Sequence, residues 1–203
     1  MKQRKILQIP MFVTIYLCLI AICVLLDQLT KFWIFDCLLA DGKTVKVLGS
    51  FMVFTRVVNP GAAFGLGDKD WANILFFVIT VVGIPLFAWL LWRARKRSVC
   101  GQVGFAFIIG GTIGNAIDRA FFESTGEFFS GSVRDFISFS FFSPVFNVAD
   151  SFLTIGVVLA LVAIIFLDPD SLLATIKRER GAKSTPQNDS GNADSVEEPD
   201  ENR

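Results

Sequence analysis

Three windows of this chain contain no charged residue at all: Ile6–Leu26, Trp71–Trp92 and Val99–Ile117. Ser151–Leu167 makes a shorter fourth. A helix needs about 20 apolar residues to cross a bilayer, with roughly 17 as the lower limit. Lipid offers no partner for an unsatisfied backbone N–H or C=O, so windows of this kind can fold there as helices and as little else. The expectation is an all-α membrane protein with four transmembrane helices, over about 6–26, 71–92, 99–117 and 148–167. A hydrophobic content of 53% and a mean hydropathy of +0.56 exclude an ordinary soluble domain.

Lysine and arginine orient the spans. Lys2, Arg4 and Lys5 precede the first, Arg93, Arg95, Lys96 and Arg97 join the second to the third, and Lys177, Arg178 and Arg180 follow the fourth. Four spans put all three clusters on one side, which the positive-inside rule makes the cytoplasm, with both termini inside. Trp71, Trp89 and Trp92 flank the second span as interface anchors do. The opening MKQRK has the start of a secretory leader, but the apolar run after it lacks a small-x-small cleavage site and reads as the first span. Cys18, Cys23, Cys37 and Cys100 show no metal-ligand spacing and read as packing residues.

Two outward segments remain. Val45–Val58 is rich in β-branched and aromatic residues around a Gly-Ser break, which predicts a small outward-facing β-cradle over about 43–65. NPGAAFG, Asn59–Gly65, reads as a turn with exposed backbone. In the second segment, 136–149 carries no charge and holds five phenylalanines, which predicts a stretch dipping into the membrane interface. Gly110, Gly111 and Gly114 give the third span a small face for close helix approach, and Pro85 predicts a kink in the second. The polar stretch 169–203 reads as a disordered cytoplasmic tail beyond a membrane domain over 1–168.

With this topology the unusual polar residues gather at the outer surface. Asp27 and Lys31 end the first span, Asn59 lies in the outer turn, and Asn115, Asp118 and Arg119 end the third span. Asp135 lies in the second outer segment, and Asn147 and Asp150 open the fourth span on one face. The chain has no histidine, which excludes a Ser-His-Asp triad, a Cys-His pair and an HExxH zinc site. Two carboxylates can work without one, because a close pair in a low dielectric keeps one proton while the other member activates water. Each residue also has a plainer reading. Asp27–Lys31 and Asp118–Arg119 read as ion pairs capping their helices, Asn147–Asp150 as a helix N-cap, and Asp135 as a solvated loop charge. GLGD, Gly65–Asp68, matches a protease element that belongs inside an apolar helix, whereas here Lys69 and Asp70 follow it.

Five blocks in order, DQLTK (Asp27–Lys31), NPGAAFG (Asn59–Gly65), GNAIDR (Gly114–Arg119), VRDFI (Val133–Ile137) and FNVAD (Phe146–Asp150), resemble the lipoprotein signal peptidase family, also called signal peptidase II. The resemblance implies an inner-membrane aspartic endopeptidase that removes signal peptides from prolipoproteins, cutting just before a diacylglyceryl-modified cysteine. It implies Asp135 and Asp150 as the catalytic pair, with Asp27, Lys31, Asn59, Gly61, Asn115, Asp118, Arg119 and Asn147 supporting the site or binding substrate. It implies no metal or other cofactor, no nucleic acid, contact with membrane lipid, and inhibition by globomycin-type cyclic peptides. Two departures stand out: the link AFFESTGEFFSGSVR after Arg119 is long, and Arg134 stands where the family often has an aliphatic residue. The competing classes are a transporter or proton relay, which needs acids through the bilayer depth, and a scaffold whose acids only cap helices.

Overall fold

The computed structural model describes residues 10–60, 69–122, 131–168 and 171–184. Gly61, the GLGD stretch, the first basic cluster, most of the long link after Arg119 and residues 185–203 lie outside them. Helix α1 (Met11–Thr30) runs on as a π-wound segment, Lys31–Leu38. Strands β1 (Val45–Leu48) and β2 (Met52–Asn59) follow, then α2 (Lys69–Arg93) and α3 (Val99–Phe121). Strands β3 (Val133–Phe139) and β4 (Phe142–Phe146) lead into α4 (Val148–Val162), which continues π-wound through Ala163–Leu167. The last described element is α5 (Leu172–Ser184).

Among the described residues, four helical stretches are long and apolar enough to cross a membrane: Met11–Leu38, Val78–Lys96, Val99–Phe121 and Val148–Arg178. The first outruns its charge-free window because Asp27, Lys31 and Asp36 each find a partner on another element: the Ala149 N–H, Asp118 and Arg134 respectively. Helix α3 is the central one, with 56% of its apolar window buried against 11–17% for the other three. Glycine makes that possible. A Cβ on Gly104 would lie 2.7 Å from the Ala160 nitrogen and 2.8 Å from the Gly156 oxygen, so α3 and α4 touch backbone to backbone. Gly110 lies as close to α1, where a Cβ would fall 2.6 Å from the Cys23 Cβ and 3.4 Å from the Ile20 carbonyl oxygen. Small residues allow this approach where lipid-facing apolar surface gives helices no reason to associate. Cys23 therefore packs as expected, whereas Cys18 and Cys37 are exposed.

The sheet is antiparallel in the order β1-β2-β3-β4. It corrects the sequence reading in one respect: the phenylalanine-rich stretch expected only to dip into the interface supplies two of the four strands. Single-sequence pattern could not find β3, because VRDFISF does not alternate between apolar and polar and acquires its partner β2 only through the fold. Phe136, fully buried, packs with Phe35 and Leu39 and thereby seats the sheet on the end of the first helix. Residues 172–184, read as part of a disordered tail, form α5. Leu172, Leu173, Ala174 and Ile176 are good enough helix formers, and the Ser171 hydroxyl caps the Ala174 N–H at 3.3 Å.

Replacing Gly104 by alanine is expected to force α3 and α4 apart and to cost ~1–3 kcal/mol, the range of an overpacked core. Thermal unfolding in detergent, followed by tryptophan fluorescence, checks it.

Candidate active site

One end of the bundle holds the ends of α1 and α3, the start of α4 and the sheet; the basic turn at 93–97 and the end of α4 hold the other, joined by Ser98 N–H to Asp168 at 3.1 Å. At the sheet end lies a buried ionic cluster. Lys31 has no exposed side-chain surface, and its ammonium meets Asp27 Oδ2 at 2.8 Å, Asp118 Oδ2 at 3.3 Å and Asn115 Oδ1 at 3.1 Å. Three protons thus find three acceptors from two helices. Asp27 does a second job: its Oδ1 accepts the Ala149 N–H at 2.9 Å, capping α4 from a neighbouring helix. Gly114 is required beside it, since a Cβ there would fall 2.6 Å from Asp27 Oδ2.

Asparagines carry the cluster outward to two further acids. Asn115 donates from Nδ2 to Asp150 Oδ1 at 2.8 Å while its own oxygen accepts from Lys31 and, at 3.0 Å, from Asn147 Nδ2. Asn147 caps α4 by accepting the Asp150 N–H at 2.9 Å, and Asp150 Oδ2 accepts the Asn147 N–H at 3.2 Å, completing a reciprocal capping box. Asn147 Nδ2 also donates to Asp135 Oδ1 at 2.7 Å, and Asn59 Nδ2 donates to Asp135 Oδ2 at 2.9 Å. Asn147 is therefore the joint between the two carboxyls. The cap that the sequence offered as a plain alternative for Asp150 is present, yet it uses only one oxygen and leaves the other for Asn115.

Asp135 is not a solvated loop charge. It sits on β3 opposite Val57, just past a bulge where β2 carries one residue more than β3 between Phe54 and Val57, and it is 1% exposed. Bulges of this kind re-aim side chains beside functional sites. Burial pushes the Asp135 carboxyl up to about 7; the Asn59 amide opposes the shift, and the negative charge of Asp150 adds to it. Asp150, partly exposed, lines a cavity of about 710 Å³ together with Asn59, Asn115, Arg119, Phe76, Ile79 and Phe146. Its walls are otherwise mostly apolar, with Phe139, Phe142, Leu153 and Ile155 among them.

Of the residues singled out from sequence, Asp27, Lys31, Asn59, Asn115, Asp118, Asp135, Asn147 and Asp150 are joined in one hydrogen-bonded network. Gly61 lies outside the described residues. The Asp118–Arg119 pair is corrected: consecutive helix residues do not face each other. Arg119 instead donates to the Gly131 carbonyl and stacks over the Phe76 ring, 3.6 Å from its centroid. Asp118 takes its cations from Lys31 and from Arg134, whose Nη2 lies 2.8 Å from Oδ1. Gln28, Asp36 and Arg134 were missed as site residues. Gln28 Nε2 donates to Asp27 Oδ2 at 3.0 Å and to the Gly114 carbonyl at 3.0 Å, a role its place inside DQLTK could have signalled.

Fold and site together define a multi-pass membrane protein in which two carboxyls are linked through Asn147, one of them, Asp150, on the wall of an apolar cavity. The family model for Signal peptidase (SPase) II matches residues 19–166. The lipoprotein signal peptidase of Nostoc punctiforme is 39% identical over 141 residues, which span 68% of this chain and 81% of that protein. The lipoprotein signal peptidase of Bifidobacterium longum subsp. infantis is 31% identical over 179 residues, 87% of this chain and 93% of that one. Two solved structures of bacterial membrane enzymes superpose with TM-scores of 0.61 and 0.63, at 27% and 29% identity, covering 86% and 76% of this chain and 95% of each of theirs. The chain belongs to the signal peptidase II family, and membership makes it a protease.

Lys31→Met is expected to leave Asp27 and Asp118 buried without their shared cation, a change that costs ~3–5 kcal/mol when one partner of a buried pair is removed. Thermal unfolding of the purified variant measures the loss, which a Lys31→Arg variant should only partly restore.

Proposed function

We propose that this protein is an aspartic endopeptidase of the bacterial inner membrane. On this reading it cleaves signal peptides from diacylglyceryl-modified prolipoproteins just before the lipid-bearing cysteine. The observation that carries it is the pairing of Asp135 and Asp150 through Asn147, with Asp150 on the wall of an apolar cavity at the end of the bundle. Asp150, held by Asn115 and facing the cavity, takes a proton from water as the water attacks the scissile carbonyl. Asp135, raised to about 7 by burial, keeps its proton near neutral pH, polarises that carbonyl and then gives the proton to the leaving amine. Asn59 and Asn147 fix the Asp135 carboxyl, and Arg119 borders the cavity where a substrate carbonyl would lie. Asp27, Lys31 and Asp118 brace the helix ends from behind. The chemistry calls for no metal or organic cofactor.

The substrate also accounts for the site's position. An apolar signal helix and an acylated cysteine are both held by the bilayer, so the bond between them lies near the interface, and the aromatic cavity wall can receive acyl chain or side chain there. Membrane lipid then borders the site, and a globomycin-type cyclic peptide would occupy the same cavity. The basic turn at 93–97 and the start of α5 would face the cytoplasm, giving an N-in, C-in protein with its site on the periplasmic face.

Expressed in cells depleted of their own enzyme, Asp135→Asn and Asp150→Asn should each lower processing of a diacylglyceryl prolipoprotein by ~10²–10⁴-fold, the range for a lost acid or base. Asp118→Asn should stay partly active; near wild-type processing by either of the first two variants sinks the pair. In purified enzyme kcat/KM should fall on the alkaline side with an apparent pKa near the value of about 7 carried by Asp135, because the acid is lost as pH rises. A profile flat from pH 6 to 9 contradicts this assignment of roles.

A further inference from the structure

Arg134 precedes Asp135 on β3, and neighbouring strand residues point to opposite faces. Its side chain therefore turns away from the Asp135 carboxyl, and what it grips lies behind it. Both its backbone N–H, at 2.9 Å, and its Nε, at 3.2 Å, reach Asp118 Oδ2, while Nη2 reaches Asp118 Oδ1 at 2.8 Å. Nη1 meets Asp36 Oδ2 at 2.6 Å, Nη2 also donates to Gln28 Oε1 at 3.2 Å, and the guanidinium lies over the Phe122 ring. One side chain thus ties the strand to α1, to its π-wound extension and to α3. It is only 13% exposed and Asp118 not at all, so water screens the pair little. The Arg134 carbonyl completes the arrangement by accepting, at 3.4 Å, from the same Asn147 nitrogen that holds Asp135.

We infer that Arg134 is a positioning residue for Asp135, fastening the β3 backbone to the helix ends through Asp118, Gln28 and Asp36 and so setting where the next residue's carboxyl stands. The inference rests on the reading of Asp135 as catalytic. Phe136 supplies an apolar hold next to it, but packing against Phe35 and Leu39 can slide where a bidentate guanidinium–carboxylate pair cannot. Asp36 completes the clamp at its outer end, closing a chain of alternating charge from Asp27 through Lys31, Asp118 and Arg134. Misplacing a reacting group by about 1 Å can cost ~10²-fold in rate without touching binding.

The test is steady-state kinetics of purified, folded enzyme on a synthetic diacylglyceryl-cysteine peptide. Arg134→Leu should lower kcat by ~10–100-fold with KM within about twofold of wild type. Arg134→Lys, which keeps the charge but not the fork, should recover part of the loss, and Asp36→Asn should lower kcat by a few-fold, again at constant KM. The double variant Asp36→Asn with Arg134→Leu should be no slower than Arg134→Leu alone, since both act through one contact. Wild-type kcat in Arg134→Leu with only a lower melting temperature would make the residue a plain structural tie, and a raised KM at constant kcat would make it a substrate contact; either overturns the inference. Should Arg134→Leu not fold, Arg134→Lys and Asp36→Asn decide, and wild-type kcat in both overturns it. Asp135→Asn in the same assay separates the two proposals. If it turns over normally, the catalytic reading fails; if it is inactive while the Arg134 series is flat, only the positioning role fails.

Discussion

The ammonium of Lys31, enclosed at the end of the bundle, is the interaction on which the rest of the site depends. An isolated buried cation would cost several kcal/mol, and the protein offsets that with Asp27, Asp118 and Asn115 at hydrogen-bond distance. Each partner is thereby committed. Asp27, neutralised on one oxygen, has the other free to cap α4. Asn115, with its oxygen occupied by Lys31 and Asn147, must present its amide to Asp150. Asp118, shared with Arg134, reaches across to the sheet. A single charge thus fixes the relation among three helix ends and a strand, and the two proposed catalytic carboxyls hang from that frame through asparagine side chains.

The frame holds only because the helices approach closely enough for short polar side chains to meet. Glycines at 104, 110, 111 and 114 bring α3 to within backbone contact of α1 and α4. At Gly114 the space a methyl group would fill is taken by the Asp27 carboxylate itself. Close packing and the ionic network are one design: larger residues on that face would push the helices apart and open the pairs to water, where they would be worth little. The sheet then covers the network from outside. Its phenylalanines on one side pack on the end of α1 while others wall the cavity, so an apolar surface surrounds an interior that is polar at one point.

Much of the candidate site could be read in the sequence, for a definable reason. Asp27 and Lys31 are four residues apart on a helix and do pair, and Asn147 and Asp150 are three apart and do share a face. Helical periodicity carries such facts directly. The neighbouring pair Asp118 and Arg119 misleads, because adjacency in sequence is divergence on a helix. Asp36 was invisible for a related reason: on an α-helix it lies roughly 140° from Lys31, and only the π-winding of 31–38 alters that phase. Arg134 stands out in the sequence as unusual, but nothing local says that its partners stand 16 and 98 residues away.

The sequence by itself determined four membrane-capable helices, a strand-forming stretch between the first two, the absence of histidine chemistry and a set of acids gathered at the span ends. These follow from hydropathy, periodicity and composition, which act over a few residues. Only the tertiary structure decided that β2 finds β3, that Asp135 is buried rather than solvated, that Asn147 joins the two carboxyls, and that Arg134 rather than Arg119 completes Asp118. Each of those depends on which distant surfaces come into contact. A buried charge accepts whichever partner the packing places within about 3 Å, and the order of residues along the chain does not contain that choice.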